Sequence, residues 1–267
     1  MEVCSPGDSS HHDTKITVLS GPVFPDKRTH HHKKTPQLTE KKPMCGRYSL
    51  ICIDDLGRRF RVYDPTLGCR SRFNVAPGDI MPVIIQRERI EMVMMQWGLI
   101  PHGTVDFPGA LHLINARVET LGQKPMFRSL LEKNRCLVPA SGFYEWKNDG
   151  VRKVPYYIHL NSARVFAFAG LCDVWHDSSG IAHPTYTIIT TCANDLIAPI
   201  HSRMPVVLKQ EDEPLWLSGT YAALEDRENL LCPYPSGEME VYVVSPRVNK
   251  ADAADDQRLI EPVKGLF

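Results

Sequence analysis

Six short apolar runs constrain this chain most: 81–85, 92–97, 154–160, 165–171, 186–191 and 241–244. Each is rich in β-branched or aromatic residues and is bounded by Gly, Pro, Asn or Asp. That is the pattern of strands packed on a pleated surface. Helical periodicity is sparser, at 53–61, 127–134 and 213–217. The strands do not alternate regularly with helices of ten to fifteen residues, which argues against a doubly wound parallel sheet. The expected fold is α+β: a single domain on a curved, barrel-like, mostly antiparallel sheet with a few short helices. With 267 residues, 43% of them hydrophobic, the chain is long enough for one large core.

Residues 1–44 read differently. They lack hydrophobic periodicity and are rich in His, Lys, Thr, Ser and Pro, including His30-His31-His32-Lys33-Lys34. Such a segment buries too little surface to offset its ordering entropy. It is expected to be a disordered or non-native extension, with the folded domain spanning 45–267. Basic and acidic residues balance at 31 each, and 7 basic against 5 acidic groups fall in the first 43 residues. The rest is slightly acidic, so any nucleic-acid contact requires a local arginine cluster rather than a basic field. The eight cysteines form no CxxC pair, which argues against a zinc site. Cys136 and Cys172 lie in apolar runs and read as buried small hydrophobes. No apolar run approaches the length of a membrane span, and a reducing intracellular setting is expected.

Met44-Cys45 resembles a start, because a small residue after methionine permits removal of that methionine. As an N-terminal residue, Cys45 would carry an amine and a thiol on adjacent carbons. An α-amine has a pKa of about 7.7–8.0, against about 10.4 for lysine, and so keeps a useful free-base fraction at neutral pH. It can attack an aldehyde, and the thiol can then close a five-membered ring in an intramolecular step. The alternative is an accidental dipeptide in a strand.

Four segments place polar groups where a plain core strand would not: Cys45-Gly46-Arg47, the stretch Leu113 to Thr120, the stretch Pro139 to Trp146, and Ile200 to Pro205. Taken with their surroundings, they give MCGRYSL, FNVAPG (Phe73 to Gly78), WGLIP (Trp97 to Pro101), INARVET, SGFYEW and HSRMP, in one order and spacing. The whole resembles the SOS-response-associated peptidase family, whose animal members are named for 5-hydroxymethylcytosine binding in embryonic stem cells. The resemblance spans about Cys45 to Asn249.

That resemblance implies a function. In the family the mature N-terminal cysteine forms a thiazolidine with the ring-opened aldehyde of an abasic site in single-stranded DNA. The role falls here on Cys45, with Asn115, Glu145 and His201 as catalytic partners. Arg47, Arg117 and Arg203 are implied on the DNA backbone, joined by Arg72, Trp146 and Phe107. Arg72 has a second reading as a brace for the turn Ala76-Pro77-Gly78. Phe107 is the one aromatic of its loop able to stack, where family members carry larger rings. Glu145 suits a proton shuttle, its pKa expected to rise by desolvation among Phe143, Tyr144 and Trp146. His201 suits the sugar oxygen as a proton donor, while Asn115 offers a donor and an acceptor without charge. An ordinary ion pair of Arg117 with Glu119 is the plain alternative for that segment.

The implied partner is abasic single-stranded DNA, with the replication machinery as a further expected partner. No cofactor, metal or membrane is implied, and a monomer is expected. Imine chemistry would also admit β-elimination of the 3′ strand. Two rivals use the same residues: a thiol peptidase releasing its own N-terminal extension, and a non-catalytic reader of modified or single-stranded DNA.

Overall fold

The computed structural model describes residues 46–51, 53–62, 70–104, 112–217, 229–250 and 254–263. Among these residues its frame is thirteen strands in two sheets. In chain order they are β1 (Arg47–Leu50), β2 (Arg72–Val75), β3 (Ile80–Gln86), β4 (Ile90–Trp97), β5 (Asn115–Arg117), β6 (Arg135–Ala140), β7 (Gly142–Asn148), β8 (Lys153–Leu160), β9 (Phe166–His176), β10 (Ala182–Cys192), β11 (Arg203–Pro205), β12 (Val207–Leu208) and β13 (Met239–Val243). Among the described residues, four short helices accompany them: α1 (Leu56–Phe60), α2 (Val118–Leu121), α3 (Pro125–Lys133) and α4 (Glu213–Leu217).

The larger sheet closes on itself. Its order β11-β10-β4-β3-β6-β9-β12 is completed by direct pairing of β9 with β10, so β10, β4, β3, β6 and β9 form a ring. Five strands around a closed ring cannot all alternate in direction, so one neighbouring pair must be parallel. That pair is β4 with β10, and the other four pairings are antiparallel. β5 continues the parallel edge, setting Asn115 against Ile188 and Arg117 against Thr190. Closure removes the exposed edges of these central strands.

The second sheet is the antiparallel order β13-β8-β7-β1-β2. It shares a strand path with the barrel, because β6 runs into β7 through Ser141 alone. Ser141 fixes that corner: its N–H donates to the Ser49 carbonyl at 2.7 Å, and its Oγ accepts from the Ile51 N–H at 2.9 Å. A strand that switches sheets in this way brings two inner faces onto one core. There Tyr48, Trp97, Phe143, Phe168 and Tyr186 are all buried, with Tyr48 edge-on to Trp97 at 5.2 Å. The two buried phenols of Tyr48 and Tyr186 satisfy each other at 2.7 Å. Away from the site, Arg59 forks onto Glu213 with bonds of 2.8 and 2.5 Å, tying α1 to α4. Cys136 and Cys172 are buried, as their apolar runs indicated.

One glycine is required by close approach. A Cβ on Gly142 would lie 2.3 Å from both Cζ and Oη of Tyr157, whose hydroxyl bonds Ser49 Oγ at 2.8 Å. Gly142→Ala must therefore displace a buried ring. The expected loss is about 1–3 kcal/mol, typical of overpacking. It should appear as a lower urea midpoint at unchanged slope, and an unchanged midpoint would refute it.

Candidate active site

The four segments with misplaced polar groups are partly strand-borne, with Ile200, His201 and Ser202 in a loop. Arg47 lies on β1, Asn115 and Arg117 on β5, Glu145 and Trp146 on β7, and Arg203 on β11. Arg47, Glu145 and Trp146 meet the His201 loop at the seam between the two sheets. A cleft of ≈ 510 Å³ opens at that seam. From the five-stranded sheet it is lined by Arg47, Glu145, Trp146, Asn148 and Lys153, and from the barrel side by Ile200, His201 and Ser202. Asn249 comes from the turn Pro246–Asn249, which follows β13.

Each lining group has a local reason for its position. β1 pairs antiparallel with β7, matching Arg47 to Tyr144 and Tyr48 to Phe143. Continuing that register brings Gly46 level with Glu145. Glu145 is only 3% exposed, held between β1 and β8, where it faces Tyr156 in register. The Arg47 guanidinium donates to Asn74 Oδ1 at 2.9 Å. Partial burial lowers its pKa, an effect partly offset by the Asp79 carboxylate. Trp146 Nε1 donates to Asn249 Oδ1 at 2.6 Å.

His201 is delivered by the loop between β10 and β11. Asn194 begins a tight turn there, its Oδ1 accepting from the Ile197 N–H at 3.0 Å, and the His201 N–H then donates to the Ile197 carbonyl at 3.0 Å. An asparagine side chain that bonds its own downstream backbone is the usual starter of such turns. The Arg203 N–H donates to His201 Nδ1 at 3.1 Å. With Nδ1 accepting, a neutral ring carries its proton on Nε2. The Arg203 carbonyl, 3.3 Å from the same nitrogen, offers an acceptor to a protonated ring.

The remaining arginines differ in how far they are engaged. Arg117 is exposed at the end of β5. Glu119 bonds Arg203 Nη1, so this carboxylate serves Arg203 across the strands. Arg203 Nη2 also donates to the Thr190 carbonyl at 2.6 Å. Bonding to Arg203 holds the Glu119 carboxyl below its ordinary pKa. The pair is therefore present at neutral pH and is lost as pH falls through that lowered value. Arg72 is paired twice, with Asp79 at 2.8 Å and Asp255 at 2.6 Å. Asp79 also accepts from the Ala76 N–H at 2.9 Å, so Arg72 braces this turn, its second reading above.

The cleft thus gathers Arg47, Glu145, Trp146 and His201 from distant parts of the sequence. Asn115, Arg117 and Arg203 do not line it; they lie on β5 and β11, two strands that pair with β10. Cys45 and Phe107 lie outside the described residues. Sequence reading missed Asn148, Lys153 and Asn249 as lining residues, and Asn74 behind Arg47. Lys153 and Asn148 are the last and first residues around a β-hairpin turn, where such residues are ordinarily only solvated. Asn74 was visible only as part of the FNVAPG string. No group of His, Cys, Asp and Glu among the described residues is arranged to hold a metal ion.

A closed barrel joined by one bent strand to an antiparallel sheet, with a Glu–His–Arg cleft at the seam, defines a distinct class of α+β protein. A protein of Bacteroides thetaiotaomicron of known crystal structure is similar in fold, with a TM-score of 0.75 at 29% identity over 82% of this chain and 100% of that one. The family model described as SOS response associated peptidase (SRAP) matches residues 44–251, and the chain belongs to that family. Similar relatives include the abasic site processing protein YoqW of Bacillus subtilis, 41% identical over 211 residues, covering 77% of this chain and 94% of that one. Abasic site processing protein YedK of Escherichia coli is 31% identical over 69% of this chain and 84% of its own length. Abasic site processing protein HMCES of Gallus gallus is 30% identical over 67% of this chain and 63% of its own.

Proposed function

We propose that this protein processes abasic sites in single-stranded DNA by capturing them covalently through Cys45 as its N-terminal residue. The observation that carries the proposal is the cleft itself: a buried carboxyl level with Gly46, one peptide bond from Cys45, lining the same cleft as a histidine whose Nδ1 is bonded by the Arg203 N–H. The relatives named for abasic-site processing point to the same substrate. In the proposed reaction the Cys45 amine adds to the sugar aldehyde, and the carbinolamine loses water to give an imine. The thiol then adds to the imine carbon and its proton passes to nitrogen, closing a thiazolidine. The net change is loss of one water, and release is the reverse. Glu145 moves protons to and from the nitrogen and the departing oxygen, a role suited to a carboxyl withdrawn from water. His201 donates from Nε2 to the sugar ring oxygen as the ring opens, and Asn115 orients the aldehyde. From the same imine, proton loss beside the imine carbon would expel the 3′ phosphate, a lyase outcome of the same chemistry. Removal of the residues ahead of Cys45 is the matching peptidase step.

The test is intact mass. Protein beginning at Cys45, mixed with single-stranded DNA carrying one abasic site, should gain the mass of the strand less one water, and an undamaged strand should add nothing. Noncovalent binding with no covalent mass, before or after borohydride, would favour a non-catalytic reader instead.

Arg47, Arg117 and Arg203 are proposed to meet phosphates, and Arg72 is left to its two carboxylates. Changing Arg117 or Arg47 to alanine should weaken binding without sequence preference. Each change should lower the salt slope by about 0.7, the value for one single-strand phosphate contact. Unchanged slopes in both variants would place the DNA path elsewhere.

A further inference from the structure

The turn Pro246–Asn249 touches the cleft through two separate hydrogen-bonded arms. Asn249 Oδ1 accepts from Trp146 Nε1 at 2.6 Å. The Val248 carbonyl accepts from Asn74 Nδ2 at 3.4 Å, and Asn74 Oδ1 in turn accepts from the Arg47 guanidinium at 2.9 Å. Asn74 is buried, so its amide is committed to these partners. The turn is itself anchored: Val248 is fully buried, and the Ser245 side chain caps the Arg247 N–H. Asn249 is exposed. Water could satisfy both it and the indole N–H, so their bond is not required by burial. What the bond does is choose the plane of the indole. Trp146 lies 6.4 Å from the Tyr144 ring, tilted by 37°, and is left half-buried on the cleft wall.

We propose that this turn is the positioning device of the cleft, with Asn249 holding the Trp146 indole as a stacking platform for a nucleobase beside the abasic sugar. A missing base leaves its neighbour without a stacking partner on one side, and an aromatic face supplies one whatever the base. The same turn, through Asn74, sets Arg47 for the adjoining phosphate, so base and backbone are registered from one rigid point. Asn249 is a positioning residue here, acting through Trp146. This inference rests on the DNA reading above.

The experiment uses the full chain and intact single-stranded DNA, so it does not depend on crosslinking. 5-Fluorotryptophan labelling gives one fluorine signal for each of the four tryptophans, and that of Trp146 is assigned by its loss in Trp146→Phe. In the parent, this signal should be single and should shift on adding DNA. Asn249→Ala should broaden it and weaken binding about 2- to 12-fold, the range of one net hydrogen bond. Trp146→Phe keeps a ring but loses the donor, so adding Asn249→Ala to it should cost nothing further. Trp146→Ala should cost more than either, about 5- to 150-fold for a lost stack. Asn249→Asp keeps the acceptor and should restore the sharp parent signal. Parent-like binding and signal in Asn249→Ala would overturn the platform while leaving the functional reading in place. Additive losses in the double variant would overturn the coupling of Asn249 to Trp146. A parent chain that does not bind single-stranded DNA would overturn the functional reading, and the platform with it.

Discussion

Glu145→Gln is expected to slow exchange of a preformed DNA adduct by about 100- to 10,000-fold, the cost of removing a positioned acid–base. A thiazolidine reopens only when a proton reaches the leaving sulfur and water then adds to the imine carbon. In the proposed site the Glu145 carboxyl serves both steps. It is withdrawn from solvent and level with Gly46 in the β1–β7 register. Glutamine keeps the shape and the strand pairing, so folding and DNA binding should survive while adduct formation and release both slow. The measurement is transfer of a preformed adduct onto excess labelled abasic strand. Parent-like exchange in Glu145→Gln, with slow exchange in His201→Ala, would move the acid–base role to His201.

The N-terminal position of Cys45 should have an equally large effect. Retaining any residue ahead of Cys45 turns its amine into an amide, which has no free base to attack an aldehyde. The extended chain should therefore give no adduct where the form beginning at Cys45 gives a heat-stable one. Cys45→Ala at the N-terminus retains the amine without the thiol. It should give an imine that heat removes and that survives only after borohydride reduction. Heat-stable adduct from Cys45→Ala would show that the thiol does not close the ring, and adduct on protein whose intact mass still includes the residues ahead of Cys45 would rule out the amine altogether.

The fold was legible wherever one face of a strand is plainly apolar. The runs at 81–85, 92–97 and 154–160 became β3, β4 and β8 with little change of boundary, and the helix expected at 127–134 is α3. The weaker signal at 213–217 became α4, tied to α1 by the Arg59–Glu213 fork. β9 and β10 extend further than their apolar centres, because β9 is paired by β6 and β10 along its length and β10 by β9, β5 and β11. Among the strands outside the six apolar runs, β1 and β7 line the cleft. With Arg47, Glu145 and Trp146 turned to it, a period-two pattern is hidden.

Composition, strand chemistry and the six spaced strings were enough for the α+β class, the family and the residues to be suspected. Residue types and their order along the chain carry that information directly. Distance between segments remote in sequence belongs to the tertiary structure alone. Only the sheet-switching corner at Ser141 and the Asn194 turn bring Glu145 and His201 to one seam. Only side-chain geometry gives Glu119 to Arg203 and commits Arg72 to Asp79 and Asp255. Lys153 and Asn249 enter the cleft for the same reason: hairpin and turn residues carry no pattern of their own, and what they face is set by the strands packed around them.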